Sequence, residues 1–338
     1  MSVTDTKPLL SVRDLKKHFP IKGGILGRTQ AMVQAVDGVS FDVSAGETLG
    51  IVGESGCGKS TTAKLLIGLT DRDEGDIVLN DKTLGRNMNL RALRRDIQMV
   101  FQDSYASLNP RMTILDSVAF GARVQGLDDP KGRAERLMAR VGLDPVRFAH
   151  RYPHELSGGQ RQRVNIARAL AMSPKVVVLD EAVSALDKSV EAQVLNLLGD
   201  LRTEFGLTYI FISHDLNVVR YISDRILVMY LGEVVEIAPV DQIWADQAHP
   251  YTRSLFSAMP SMDPDNRTEK PPLAGDPPNP IDPPSGCRFH TRCPLAAPVC
   301  KTRHPVLAPR LQGSAHWVAC HLHDAASGHP DAGKAVAA

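Results

Sequence analysis

Residues 53–60 constrain the fold of this 338-residue chain more than any other part of its sequence. They read Gly-Glu-Ser-Gly-Cys-Gly-Lys-Ser and fit the phosphate-loop pattern, in which a second glycine is followed by lysine and a hydroxyl residue. The apolar residues 48–52 before the loop predict a strand, and residues 59–69 after it predict a helix. A strand, a glycine-rich loop and a helix in this order predict an α/β fold that binds phosphate at the helix N-terminus.

Length and composition narrow the class of protein. Hydrophobic residues make up 43% of the chain and charged residues 23%, as in a soluble globular protein, and the length predicts one large domain with an appendage. The net charge of +1 gives no electrostatic reason to expect a nucleic acid as partner. No apolar run approaches the roughly 18 residues that span a bilayer, and the first residues lack the pattern of a secretion signal. We therefore expect a cytosolic protein that reaches a membrane only through a partner.

Strand-like and helix-like stretches alternate along most of the chain. This alternation predicts a mostly parallel α/β sheet. The hydrophobic spacing predicts a helical insert over residues 113 to about 143, and a hairpin around Gly232. The expected strands are residues 9–12, 41–43, 48–52, 77–79, 97–101, 175–179, 208–212, 226–230 and 234–237, and the expected later helices are residues 161–172 and 189–205.

Two further motifs follow the phosphate loop in the sequence. Asp180 and Glu181 end an apolar strand, where the first carboxylate can hold Mg²⁺ through water and the second can orient the attacking water. Between the two motifs lies Leu-Ser-Gly-Gly-Gln at residues 156–160. With this combination the chain resembles the nucleotide-binding subunit of an ATP-binding cassette (ABC) transporter. The resemblance implies a phosphate-loop core with a mostly parallel sheet, an antiparallel β subdomain and a helical subdomain.

The resemblance also implies roles for individual residues. Lys59, Glu181 and His214 would be catalytic, and Ser60, Gln102 and Asp180 would serve Mg²⁺. A further set would contact ATP: Phe19, Gly53, Glu54, Ser55, Gly56, Cys57, Gly58, Lys59, Ser60, Thr61 and Gln102. The remaining set would contact the ATP held by a second, facing subunit: Ser157, Gly158, Gly159, Gln160 and Asp187.

The competing class is a soluble ABC ATPase that acts in translation or chromosome maintenance. Chromosome-maintenance proteins of this family carry long coiled coils between the positions of Gln102 and Leu156, whereas only a modest helical insert is present here. Translation proteins usually carry two cassettes in one chain, and this chain has one phosphate loop. The transporter class is therefore favoured.

Several stretches of the chain resemble the oligopeptide/dipeptide importer branch of the family. The similarity lies in residues 152–155, in residues 249–253 and in the proline-rich stretch leading to residues 286–290. We expect an ABC ATPase domain over residues 1–240 with its helical subdomain at about 103–170, an extension over residues 241–324, and a disordered tail over residues 325–338. The resemblance implies a second ATPase subunit, two membrane-spanning permeases and, indirectly, an extracytoplasmic peptide-binding protein as partners, at the cytoplasmic face of the membrane. Nickel and glutathione importers share much of this pattern.

Four of the five cysteines cluster in that extension, at Cys287, Cys293, Cys300 and Cys320. Their spacing does not match the paired CxxC of a zinc ribbon. Four thiolates suit an iron–sulfur cluster, and the resemblance includes peptide-importer subunits that carry a 4Fe–4S cluster here. Zinc is the second interpretation, with His290, His316 or His321 as substitute ligands, and four buried thiols that bind nothing are the third.

Overall fold

The structure is a computed structural model that describes residues 7–23, 28–259 and 278–333. Its strands are β1 Leu10–Gly23, β2 Arg28–Val43, β3 Thr48–Val52, β4 Glu74–Leu79, β5 Lys82–Thr83, β6 Ile97–Val100, β7 Val176–Asp180, β8 Thr208–Ile212, β9 Arg225–Tyr230, β10 Glu233–Pro239, β11 Ala308–Pro309 and β12 Trp317–Val318. Its α-helices are α1 Lys59–Leu66, α2 Leu90–Asp96, α3 Ile114–Gln125, α4 Pro130–Arg140, α5 Pro145–Phe148, α6 Gly158–Leu170, α7 Lys188–Phe205, α8 Leu216–Ile222, α9 Val240–Ala245, α10 Pro250–Ser257 and α11 Pro298–Thr302.

The main sheet runs in the order β11-β12-β10-β9-β3-β8-β7-β6. Strands β6, β7, β8, β3 and β9 pair in parallel, whereas β10, β12 and β11 are antiparallel, which confirms the expected mostly parallel sheet. Every residue of β3, β7 and β8 is buried. Burial on both faces explains why these strands are continuous apolar runs in the sequence. Because parallel strands end at the same edge, the loops after β3, β8, β7 and β6 lie side by side.

A second, antiparallel sheet has the order β2-β1-β4-β5. Strands β1 and β2 form a long hairpin and are much longer than the expected strands at residues 9–12 and 41–43. The additional residues carry many exposed polar side chains, so no apolar run marks them in the sequence. Residues 24–27, which connect β1 and β2, lie outside the described residues.

Four α-helices, α3 to α6, lie between β6 and β7. Thr113 caps α3 by accepting a hydrogen bond from the amide of Asp116, and Gly126 ends that helix at φ 70°. The apolar positions whose spacing predicted the insert are buried: Ile114, Val118, Ala119, Leu137 and Val141.

The predicted hairpin is formed by β9 and β10, with Leu231 and Gly232 at its turn. Both residues have positive φ, at 44° and 83°, as a type I′ turn requires. The Gly232 amide donates to the carbonyl of Cys57 at 2.9 Å, so the turn lies against the phosphate loop.

The C-terminal extension adds to the main sheet instead of forming a sheet of its own. Strand β12 pairs with β10, and β11 pairs with β12. Tyr251 of α10 and Phe289 are 0% and 1% exposed and belong to the core beneath the sheet. Of the proline-rich stretch, residues 260–277 lie outside the described residues, and residues 278–284 contain no helix or strand.

Residues 325–333 are packed against the extension, whereas composition predicted disorder from residue 325. Ser327 and His329 are buried, and the Ser327 hydroxyl donates to the carbonyl of His321 at 2.7 Å. Short polar side chains can bond the backbone in this way, which composition does not reveal. The remaining residues 334–338 lie outside the described part. No helix within the described ranges has the length and apolarity needed to cross a membrane.

Candidate active site

Each of four neighbouring strands of the main sheet ends in a segment that carries predicted site residues. The phosphate loop follows β3, and His214 lies just after β8. Asp180 ends β7 and is followed by Glu181, and Gln102 lies two residues after β6. The strand order therefore gathers segments that range from residue 53 to residue 214 of the chain at one edge of the sheet.

Glycines give the phosphate loop its conformation. Gly53 has φ 149° and Gly58 has φ 107°, and a Cβ atom at either would lie 2.2–2.3 Å from a backbone carbonyl oxygen. The Lys59 side chain is 7% exposed, and its Nζ donates to the carbonyls of Gly53 at 2.7 Å and Glu54 at 2.9 Å. The remaining residues of the loop are placed as follows: Ser55 and Gly56 are exposed at its tip, Cys57 is buried below it, and Ser60 and Thr61 begin α1.

Ser60 and Asp180 lie in contact, because the Ser60 hydroxyl donates to Asp180 Oδ1 at 3.1 Å. Asp180 is 5% exposed, and burial raises the pKa of its carboxyl group, partly offset by the Ser60 hydrogen bond, while the charge of Glu181 raises it further. A divalent cation beside these oxygens would stabilise the ionised form. The pair therefore fits Mg²⁺, which prefers one or two carboxylates, other oxygen ligands and water.

Glu181 lies between two other predicted site residues. Its Oε2 accepts a hydrogen bond from Gln102 Nε2 at 2.8 Å, and its Oε1 lies 3.4 Å from His214 Nδ1. Its backbone adopts φ 48°, a conformation that few non-glycine residues take, and its amide donates to the carbonyl of Ile212 at 2.9 Å. The strained backbone and the three contacts fix the carboxylate at the carboxyl edge of the sheet.

The Leu-Ser-Gly-Gly-Gln motif begins α6 in the helical region. Ser157 Oγ accepts from the Gln160 amide at 3.3 Å, while Gln160 Oε1 accepts from the Ser157 amide at 3.0 Å. This capping box explains the spacing of serine and glutamine, and it could have been predicted from the sequence. A Cβ at Gly158 would meet only Leu186, at 3.9 Å, whereas a Cβ at Gly159 would lie 2.5 Å from Val190.

The motif lies near Asp187, the other residue that the resemblance places against a second subunit. Leu186 and Val190 flank Asp187, which is exposed and precedes the first turn of α7. The contacts of Gly158 and Gly159 with Leu186 and Val190 therefore bring together the residues expected to face a second subunit. The segment that follows Glu181 leads to Leu186 and Asp187. Within this segment the Ser184 hydroxyl donates a hydrogen bond to the Glu181 carbonyl at 3.0 Å.

Phe19, one of the predicted ATP contacts, lies on β1. Its side chain is 39% exposed, and the ammonium group of Lys17 lies 5.5 Å from the ring centre. Phe19 pairs with Val33 of β2, two residues before Ala35, whose carbonyl packs against Gly58. The ring is therefore available on the strand pair that borders the phosphate loop.

One contact of the phosphate loop was not expected from the sequence. The Glu54 amide donates to the hydroxyl of Tyr251 at 2.8 Å, and the Glu54 carboxylate receives both terminal nitrogens of Arg292, at 2.9 and 3.1 Å. Arg292 and Tyr251 belong to the C-terminal extension, and no periodicity or motif in the sequence links them to residue 54.

The four clustered cysteines line one small cavity together with His249, His290, His321 and His329. The cavity holds about 10 Å³, roughly the space of one water molecule. Burial, with a smaller effect of the neighbouring thiols in the same direction, raises the pKa of Cys287 and Cys320 to about 12 and that of Cys293 to about 11. In the described ranges, no three histidine, cysteine, aspartate or glutamate side chains are arranged to hold a single metal ion.

Two family models match the sequence. The ABC transporter model matches residues 36–184, and the model of the oligopeptide/dipeptide transporter C-terminal region matches residues 235–300. The oligopeptide transport ATP-binding protein AppF of Bacillus subtilis is 47% identical over 331 residues, with 96% of this chain and 100% of AppF covered. The oligopeptide transport ATP-binding protein OppF of Escherichia coli is 50% identical over 325 residues, with 93% of this chain and 96% of OppF covered.

Solved ABC cassettes have the same fold. The dimeric post-hydrolysis structure of the ATP-binding cassette MJ0796 with ADP and Pi matches with a TM-score of 0.60 and 30% identity, over 68% of this chain and 98% of that one. CbiO1 of Clostridium perfringens matches with a TM-score of 0.61 and 28% identity, over 72% and 92%. The chain therefore belongs to the ABC transporter family, as an ATPase of its oligopeptide-transport branch.

Proposed function

We propose that this chain hydrolyses ATP to power the import of di- and oligopeptides across the bacterial cytoplasmic membrane. The observation that carries the proposal is the convergence of Gln102, Glu181 and His214 beside the phosphate loop, at the ends of four neighbouring strands. The similarity to peptide-transport ATPases along nearly the whole chain supports the transported class.

In this proposal the phosphate loop binds the β- and γ-phosphates of ATP. Lys59 Nζ exchanges the carbonyls of Gly53 and Glu54 for phosphate oxygens, and the amides at the start of α1 point to the same anion. Ser60, Asp180 and Gln102 would hold Mg²⁺, which supplies positive charge to offset the negative charge on the phosphates. Phe19 would stack on the adenine.

Glu181 is proposed to orient the attacking water and to draw its proton away. Phosphoryl transfer needs positioning and charge stabilisation more than covalent chemistry, so a fixed carboxylate is sufficient. Gln102 holds one oxygen of Glu181 at 2.8 Å and His214 lies 3.4 Å from the other, so the water would meet an oriented group. His214 would then contact the γ-phosphate.

The motif at residues 157–160 and Asp187 are proposed to act on the ATP of a second, facing ATPase subunit. Ser157 and Gly158 are exposed, and Ser157 is the N-cap of α6, so its hydroxyl lies at the N-terminus of that helix. A helix N-terminus attracts phosphate oxygens. ATP would favour the closed pair, and hydrolysis would favour the open pair.

The test of the catalytic role is Glu181→Gln. The variant should bind ATP as the wild type does, because the amide keeps the size and one oxygen of the side chain, but it should lose hydrolysis. Glu204→Gln is the matched control, since Glu204 lies near the end of α7 in an exposed ion pair with Arg140. Turnover at the wild-type rate in Glu181→Gln would show that the assigned base is wrong.

The proposed partners are the second ATPase, two membrane-spanning permeases and, indirectly, an extracytoplasmic peptide-binding protein, with this chain at the cytoplasmic face of the membrane. Nickel or glutathione remains the alternative substrate. Uptake of labelled dipeptides, oligopeptides, nickel and glutathione should be compared in cells that carry wild type or Glu181→Gln. Loss of peptide uptake alone is expected, whereas loss of only nickel or glutathione uptake would reassign the substrate.

For the extension we propose a 4Fe–4S cluster held by Cys287, Cys293, Cys300 and Cys320. Support comes from the four thiols around one cavity and from the chemistry of three of them: burial raises the pKa of Cys287, Cys293 and Cys320, so these three thiols stay protonated unless a cation favours the thiolate. Cys287, Cys293, Cys300 and Cys320, which line this cavity, are the residues that would hold the group. The group would supply structural cross-linking of the extension.

Anaerobic purification tests this cofactor. Brown protein with absorbance in the blue region and bound iron is expected for the wild type and for Cys57→Ser, whose thiol lies in the phosphate loop. Cys320→Ser should lose the colour and the iron. Colourless wild type that retains zinc would favour the second interpretation, and metal-free wild type would favour four buried thiols.

A further inference from the structure

The segment between the first two clustered cysteines forms a compact turn against the ATPase core. We call residues 287–293 the cysteine loop. Two hydrogen bonds lie within the loop: the His290 amide donates to the Cys287 carbonyl, and the Arg292 amide donates to the Phe289 carbonyl, each at 3.0 Å. The Cys287 amide donates to the carbonyl of Cys300 at 2.8 Å, which fixes the loop to the rest of the cysteine cluster.

An aromatic cluster packs the cysteine loop against β9 and α10. Phe289 packs at right angles against Tyr230 of β9, with ring centres 5.3 Å apart, and lies 5.4 Å from the ring of Tyr251. The two tyrosine rings lie 4.6 Å from each other, and all three side chains are at most 1% exposed. Close-packed rings of this kind leave little freedom for the loop to shift.

Two arginines of the cysteine loop extend toward the phosphate loop. Arg292, with a side chain 6% exposed, forms the bidentate pair with Glu54. Arg288, 8% exposed at its side chain, pairs with Asp37 and Glu233 and donates to the carbonyl of Leu231. Leu231 belongs to the β9–β10 turn, and that turn also donates to the phosphate loop, through Gly232 to Cys57.

Four hydrogen bonds therefore connect the phosphate loop to the extension or to the β9–β10 turn that Arg288 holds. Arg292 fixes the Glu54 side chain, the Tyr251 hydroxyl fixes the Glu54 amide at 2.8 Å, and Gly232 fixes the Cys57 carbonyl at 2.9 Å. The Lys59 ammonium group bonds the carbonyl of that same Glu54. A displacement of Glu54 would thus be transmitted to the lysine and to the amides that would surround the phosphates.

We propose that the cysteine loop and Tyr251 brace the phosphate loop, and that Arg292 is a positioning residue for ATP, acting through Glu54. The inference rests on the proposed role of residues 53–61 as the phosphate cradle. Pre-organising a binding loop raises affinity, because less order has to be imposed when the ligand binds. The groups around Glu181 are held separately, so the brace should act on ATP affinity and not on the rate at saturation.

The test is Arg292→Gln in the full chain. The variant loses the bidentate hydrogen bonds between Arg292 and Glu54. Because hydrogen bonds between charged groups are strong, we expect this loss to weaken ATP binding by about tenfold. In the assembled transporter, KM for ATP should rise by a similar factor while kcat changes by less than about twofold. The ATP affinity of Arg292→Lys should lie between those of the wild type and Arg292→Gln, because lysine keeps the charge but not the bidentate geometry.

A double-mutant cycle decides whether Arg292 acts through Glu54. In the Glu54→Gln background, Arg292→Gln should have no further effect on ATP affinity. Full additivity of the two changes would overturn the proposal. Arg303→Gln is the matched control, since Arg303 lies in the same extension in an exposed pair with Asp324, and its ATP affinity should equal that of the wild type.

A second variant covers the case in which Arg292→Gln does not fold. Tyr251→Phe removes only the hydroxyl and keeps the aromatic packing, and it should weaken ATP binding several-fold. Wild-type affinity in folded Tyr251→Phe and folded Arg292→Gln would overturn the brace alone. Lys59→Ala separates this result from the proposed function: if Lys59→Ala also bound ATP normally, the phosphate cradle itself would be wrong.

Discussion

His249 should make the extension sensitive to acid. It is the N-cap of α10, where its Nδ1 accepts a hydrogen bond from the Tyr251 amide at 3.0 Å, and it is 1% exposed. Burial lowers its pKa to about 4, against the opposing charge of Glu236 and with a further lowering from His323. Protonation of Nδ1 would remove the cap at the helix that carries Tyr251 to the phosphate loop.

The magnitude follows from proton linkage. In the unfolded chain a histidine takes up a proton at about pH 6.5, whereas folded His249 does so at about pH 4. Between these values the unfolded state binds more protons, so the free energy of unfolding falls as the pH falls, by up to about 1.4 kcal/mol per pH unit. From pH 7 to pH 5, His249 should therefore cost the protein about 2 kcal/mol of stability.

The assay is urea unfolding at pH 7, 6 and 5, compared with His249→Asn. Asparagine keeps an N-cap acceptor but does not titrate. Both tryptophans, Trp244 and Trp317, lie in the extension, so intrinsic fluorescence reports on this region. Over the range from pH 7 to pH 5, wild type should lose about 2 kcal/mol more than the variant. Equal losses in the two proteins would refute the assignment of a neutral, capping histidine.

The remaining predictions concern the motif on α6 and the phosphate loop. Gly158→Ala and Gly159→Ala should both reduce ATPase activity of the assembled transporter, but only Gly159→Ala should lower the melting temperature of the isolated chain, because its new methyl group would lie 2.5 Å from Val190. A fall in melting temperature for Gly158→Ala as large as for Gly159→Ala would contradict this. Cys57, 3% exposed and with its pKa raised chiefly by burial, should be alkylated slowly, and more slowly still with ATP, since ligand binding opposes the loop opening that exposes the thiol. Equal labelling with and without nucleotide would count against that geometry.

The core of the fold could be predicted from the sequence because its strands are buried on both faces. Strands β3 and β8 have the bounds that their apolar runs predict. The hairpin of β1 and β2 was underestimated because exposed polar residues such as Arg13 and Lys22 interrupt any apolar pattern, and backbone pairing defines these strands instead.

The candidate site was predictable to the extent that it consists of local motifs. The contacts among Gln102, Glu181 and His214 follow from the order of parallel strands, which the resemblance implied. The bond between Glu54 and Arg292 was not predictable, since 238 positions separate the two residues and each belongs to a different local pattern. Pairings of this kind depend on how the extension docks, which composition and spacing do not determine.

The two short strands of the extension have a consequence for how the ATPase can be handled. Strand β12 occupies the hydrogen-bonding side of β10 that β9 leaves open, and β11 covers β12 in turn. A chain cut after residue 240 would present a buried, apolar strand with unpaired amides and carbonyls to other molecules. Such a strand invites edge-to-edge aggregation, so the C-terminal segment also keeps the catalytic unit from self-association.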